Sequence, residues 1–135
     1  MPSMANIVVK DASNVDFTLS ALSASAGDKV PARWRADANG FEAVPAGLRP
    51  QFEVVSQDNG PKTARRVTVK GFHTAVYTNA STGLVGLTAK VPFSFEIVLP
   101  TNIGSADVAQ ASTIAANFVA STLMKSVYST GYAPT

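Results

Sequence analysis

The chain of 135 residues contains no cysteine and one histidine, His73. Without thiols there can be no disulfide, no thiol nucleophile and no thiolate metal site, and one imidazole alone cannot build a histidine metal cluster. The absence of cysteine fits a reducing compartment. Charge is also scarce: 15% of residues are charged and 46% hydrophobic, whereas about 25% charged is usual for a soluble domain. So little charge predicts that much of the surface is interface. The nine acidic residues are scattered singly and no serine occupies a nucleophile elbow, so acid/base and nucleophilic catalysis find no support. Gly83 and Gly86 lack the Lys and Ser or Thr that complete a phosphate loop. No apolar run approaches the roughly 20 residues of a membrane helix, and no basic-then-apolar signal opens the chain. His73 reads as a structural residue. The expectation is a protein that is not an enzyme, with no metal, cofactor, membrane or small-molecule partner. A hydrolase or ligand-binding protein assembled from distant Asp, Ser and Lys residues is the alternative.

The charge that is present is concentrated. A net charge of +2 conceals a segment, Asn59 to Phe95, that holds Lys62, Arg65, Arg66, Lys70 and Lys90 and no acidic residue. Within it, Thr63 to Tyr77 alternates as a strand does, with Val67, Val69 and Ala75 on one face and Arg66, Thr68, Lys70 and Thr74 on the other. One face suits a core and the other an anion. An ordinary half-buried antiparallel strand with a solvated polar face is the competing reading.

Length predicts a single domain over 1–135, with 1–6 disordered or added in expression and Met4 a second possible start. Short strands at Ile7 to Val9 and Val15 to Leu22, separated by Asp11, Ser13 and Asn14, predict an N-terminal hairpin. Lys29 to Ala36 alternates around Trp34, a packed anchor, and Pro31 predicts an edge strand. A strand from Gln51 to Gln57 should form a hairpin with the basic strand through Asp58, Asn59, Gly60 and Pro61. Thr78 to Leu87, small and uncharged, predicts a mobile contact loop. Lys90 to Leu99 is the clearest strand, with Val91, Phe93, Phe95, Ile97 and Leu99 on one face.

Ser105 and Asp107 suit a helix start and Gly131 a stop, predicting a helix from Ser105 to Tyr128 that is bent or broken near Ala120 to Thr122. Its apolar residues, among them Val108, Ile114, Phe118 and Leu123, cover more than one stripe, which predicts burial by more than one neighbour. A homodimer with these four in its interface meets that need. A monomeric two-layer α+β domain is the alternative.

Strands followed by a C-terminal helical region, the motifs ARRVTVK, VVSQDN and VPFSFEIVLPT, and the ending VYSTGYAPT together resemble the coat proteins of the small single-stranded RNA bacteriophages, across roughly Ile7 to Tyr132. The resemblance implies an α+β fold: an antiparallel sheet with an N-terminal hairpin and C-terminal helices, intertwined as a dimer. It implies icosahedral shells that package single-stranded genomic RNA, location in the virion and in the host bacterial cytoplasm during assembly, and binding of an RNA hairpin as translational repressor. The family's RNA-binding positions match Thr68, Lys70 and Ser94, with Lys90 near a basic position; Arg66 joins them by parity. Ser56 follows from the VVSQ match, although polarity alone would put Gln51, Glu53 and Gln57 on that face. Pro92 stands where the family has a base-stacking aromatic. Thr78, Asn79, Gly83, Leu84 and Gly86 match the loop that meets other dimers. A cellular RNA- or DNA-binding module that forms no shell is the alternative function.

Overall fold

A computed structural model describes residues 2–135; Met1, part of the 1–6 segment considered above, lies outside the described residues. Six strands run in sequence order, each antiparallel to its neighbour: β1 (Ile7–Lys10), β2 (Asp16–Ser23), β3 (Ala32–Arg35), β4 (Gln51–Asp58), β5 (Ala64–Thr78) and β6 (Val85–Pro100). Two helices follow, α1 (Ser105–Val119) and α2 (Thr122–Thr130).

Local chemistry closes two of the hairpins. The Asp11 carboxylate accepts hydrogen bonds from the Ser13 and Val15 amides and Asn14 takes φ 62°, closing the β1–β2 hairpin as expected. Between β4 and β5, Asn59 Oδ1 accepts from Thr63 N at 2.8 Å and Ala64 N at 3.2 Å. Ahead of β1, Ala5 O accepts from Trp34 Nε1 at 2.8 Å and Asn6 Oδ1 from Ala21 N at 2.9 Å.

Three expectations need correction. β3 is paired on both sides, with β2 and β4, so it is not an edge; Pro31 precedes the strand and costs it no ladder bond. β6 begins at Val85, which shortens the predicted Thr78 to Leu87 loop to a tip at 79–84. Thr78 pairs with Val85, and Gly86 pairs with Tyr77 inside the ladder. A Cβ on Gly86 would lie 2.6 Å from the Tyr77 ring, so this glycine provides room for a cross-strand aromatic and is not a loop residue. Last, the α1 N-cap is Gly104, with Ser105 in the first turn and no side-chain cap bond.

The helix break falls where expected. α1 ends at Val119, and the Ser121 side chain caps α2 by accepting from Met124 N at 3.3 Å. Gly131, at φ 78°, ends α2 in the left-handed conformation.

The buried apolar core is small: Leu19, Ala36, Phe41 and Val44, with Phe17, Trp34, Leu48, Phe52, Val76 and Val85 packed against it. It sits where β2 and the β3–β4 connection meet the end of the sheet. Above it, Asp37 accepts from Arg35 Nε and Arg49 Nη1, each at 2.6 Å, while Arg49 also donates to the Val44 and Glu42 carbonyls. The rest of the sheet is open. Val54, Val67, Val69, Phe95 and Ile97 are only half-buried, and α1 scarcely touches its own sheet, so Ile114 and Phe118 are 58% and 62% exposed. The chain exposes 9294 Å², whereas a compact monomer of its 14.0 kDa would expose about 6,700 Å².

Candidate nucleic-acid interface

Strand register sorts the side chains into two faces. Across β4, β5 and β6 the pairs Phe52–Gly71–Phe93, Val54–Val69–Phe95 and Ser56–Val67–Ile97 make one face apolar. Gly71 is the keystone there. A Cβ on it would lie 2.7 Å from Phe52 Cδ1 and 2.8 Å from Phe93 Cε1, and its absence lets those rings approach to 5.3 Å between centroids.

The opposite face is polar. Gln57–Arg66–Val98, Val55–Thr68–Glu96, Glu53–Lys70–Ser94 and Gln51–Phe72–Pro92 stand in successive rows, with Lys90 beyond them opposite Thr74. The register therefore brings Arg66, Thr68, Lys70, Lys90 and Ser94, expected to contact RNA, onto one surface. Ser56 is a correction. It pairs with Val67 on the apolar face, where its hydroxyl accepts from Arg65 Nε at 2.9 Å. One residue of offset reverses a strand's faces, and the alternation of Gln51, Glu53 and Gln57 is the arrangement observed.

Arg65 is also turned away from the polar face. Its guanidinium bridges Asp58, at 3.0 Å, and Asp28; the hydrogen bond from Arg65 holds the Asp28 carboxyl below the usual range, and Asp28 in turn raises Arg65. The polar face is less uniformly basic than the linear sequence suggests. Glu96 lies 3.5 Å from Arg66, and Glu53 lies 3.6 Å from Arg33. Neither Lys70 nor Lys90 forms an ion pair among the described residues.

A shallow concavity of about 530 Å³ is lined on this face by Arg33, Gln51, Glu53, Lys70, Phe72, Pro92 and Ser94, together with the intervening row Phe52–Gly71–Phe93. Phe72 is the residue that the strand pattern could have revealed by parity and that composition concealed, being apolar on a polar face. Lys90 Nζ stands 4.4 Å from its ring centroid. The surface offers ammonium and guanidinium donors, hydroxyls, two carboxylate acceptors and an aromatic ring. It contains no group of three potential metal-ligating side chains among the described residues, and no described helix is long and apolar enough to cross a membrane.

The residues expected at subunit contacts lie apart from this surface. Ile114, Phe118 and Leu123 project from the helices and are exposed, while Val108 belongs to a half-buried stripe with Ser112, Ala115 and Val119. Asn79, Gly83 and Leu84 form the β5–β6 tip, where Leu84 is exposed.

No family model and no curated protein matches the chain in sequence. Solved structures do match. The virus-like particle of Beihai levi-like virus 21 is 14% identical and superimposes with a TM-score of 0.80 over 99% of both chains. The coat protein of bacteriophage EMS014 is 21% identical, with a TM-score of 0.67 over 85% of this chain and 72% of that one. The capsid protein of bacteriophage GA is 16% identical, with a TM-score of 0.68 over 93% of each. With six antiparallel strands in sequence order followed by two C-terminal helices, the chain has the fold of the RNA-bacteriophage coat proteins.

Proposed function

We propose that this protein is a viral coat protein whose homodimers assemble into an icosahedral shell around single-stranded RNA. The observation that carries the reading is the division of the sheet into two unlike faces, one apolar and uncovered, the other polar and cationic. The area exposed beyond that of a compact monomer is about 2,600 Å² per chain. Two chains together would bury about 5,200 Å², at the upper end of the range for obligate homodimers. Helices from a second copy, presenting Ile114, Phe118 and Leu123, cover the apolar face. The cationic face then lines the inside of the shell, where Arg66, Thr68, Lys70, Lys90 and Ser94 meet RNA. The particles named above, which share this fold, support the shell, and the exposed 79–84 tip is its contact between dimers.

On this reading the whole chain is one coat-protein domain without catalytic activity, located in the virion and, during assembly, in the host bacterial cytoplasm. The dimer's RNA face also allows binding of an RNA hairpin as a repressor. Electron microscopy of the purified protein tests the assembly. Closed shells of uniform size containing nuclease-protected RNA are expected, and protein that forms no shells at any concentration, with or without RNA, would overturn the reading. Shortening the 79–84 tip should leave dimers folded while altering or abolishing the shells.

A further inference from the structure

We infer that Phe72 is a stacking platform for an unpaired RNA base, with Lys90 backing its ring; the inference rests on the polar sheet face being the RNA-binding surface. Three observations converge on this residue. Phe72 occupies the row beside Lys70 and Ser94, so its ring stands among the groups best able to hold phosphate and ribose. Phe72 is among the residues that line the concavity, whereas Lys90, 4.4 Å from its ring centroid, is not. Lys90 comes from the next row, opposite Thr74, so its ammonium approaches the ring from the side away from Lys70 and Ser94 and leaves the side toward them to a ligand. Finally, among the described residues the ring joins none of the protein's own aromatic pairs: Phe52 packs with Phe93, and Phe17, Phe41 and His73 pack with one another.

The chemistry follows from the ring's two sides. An ammonium over one face is attracted by the negative quadrupole of the ring and offsets the cost of keeping an aromatic side chain on a solvated, polar surface. The other face is a flat apolar surface of the kind on which any base can stack, whatever its hydrogen-bonding edge. Bases within a duplex already stack on each other and cannot reach such a platform. The ring thus selects single-stranded RNA over duplex, while Lys70 beside it supplies attraction for phosphate that both forms share. The contribution is tolerant of sequence, and it depends little on salt because no counterion is released when a base stacks.

The test compares full-length wild type, Phe72→Leu, Phe72→Tyr and Lys70→Ala in binding to an unstructured 20-nucleotide RNA and to a 20-base-pair RNA duplex, across a salt series. Leucine keeps the apolar bulk and removes the π face. Phe72→Leu should weaken single-strand binding roughly 5- to 150-fold, the range for losing one stacked base, with an unchanged salt slope and unchanged duplex binding; Phe72→Tyr should bind as wild type. If Lys70→Ala weakens binding and flattens the slope while Phe72→Leu binds the single strand as wild type does, the platform is refuted and the RNA face stands. If both variants bind as wild type, the RNA face itself is refuted. A second measurement needs no substitution: 5-iodouridine-substituted RNA is photocrosslinked to wild type and the adduct mapped by mass spectrometry. A crosslink at Phe72 is expected, and crosslinks confined to other residues would overturn the assignment.

Discussion

Glu96 stands opposite Thr68 in the β5–β6 ladder and reaches diagonally to Arg66: its Oε1 lies 3.5 Å from the guanidinium Nε, and its other carboxylate oxygen accepts from the Thr68 hydroxyl at 3.4 Å. Two groups expected to bind RNA are thus held by a carboxylate on the same surface. Glu96→Gln should free Arg66 and remove a charge that repels phosphate. Filter binding to single-stranded RNA should show higher affinity and a log K against log salt slope steeper by about 0.7, one added phosphate contact. Unchanged or weaker binding would show that the carboxylate does not oppose RNA.

Lys70 has no such partner among the described residues, although Glu53 lies opposite it in the ladder. Lys70→Ala should lower affinity and flatten the salt slope by somewhat less than one unit, while Thr68→Ala should lower affinity with little change in slope. Circular dichroism should show both variants folded, since neither side chain faces the apolar side. Wild-type affinity in Lys70→Ala would remove it from the site.

Gly71→Ala tests the packing of the other face. The added methyl would lie 2.8 Å from the Gln51 carbonyl oxygen as well as against the Phe52 and Phe93 rings, and the backbone atom cannot move aside cheaply. Urea unfolding at fixed protein concentration should show a loss of about 1–3 kcal/mol. Wild-type stability would mean that the two rings are not packed across Gly71.

The Asp37 carboxyl is held below its ordinary value of 3.8, first by its hydrogen bond from Arg35 and further by Arg49, against an opposing desolvation cost. A carboxyl depressed in the folded state contributes stability above its unfolded value, and that stability is lost as pH falls through the folded value. Asp37→Asn should therefore cost about 1–3 kcal/mol near pH 7, and the gap from wild type should close as pH drops below 3.8. A gap that persists undiminished at lower pH would locate the effect elsewhere.

Strong periodicity and local turn chemistry made much of this fold legible. The alternation around Val67 and Val69, the Asn59 turn, the Ser121 break and the Gly131 stop depend on neighbours in sequence, and all appear in the structure. Relationships across strands were hidden. The segment from Asn59 to Phe95 has no acid, yet Glu53 and Glu96 enter its surface through the ladder, and only the register reveals them. Ser56 lies on the apolar face, opposite the face on which the motif match places it, because one residue of offset inverts a strand, and the adjacent polar alternation is the better physical signal. Gly86 resembled loop composition because the reason for that glycine, the Tyr77 ring, lies across the hairpin. Phe72 was concealed by expecting only polar side chains on a polar face.

The central claim is that one chain is an incomplete fold, whose apolar sheet face and helices are covered by a second copy. Sedimentation velocity at low micromolar concentration, in a buffer that dissociates shells, tests it with circular dichroism to confirm folding. The smallest folded species should have twice the chain mass, and Phe118→Asp, which would bury an unpaired charge, should give no soluble folded protein. A stable, folded species of 14.0 kDa would contradict the account.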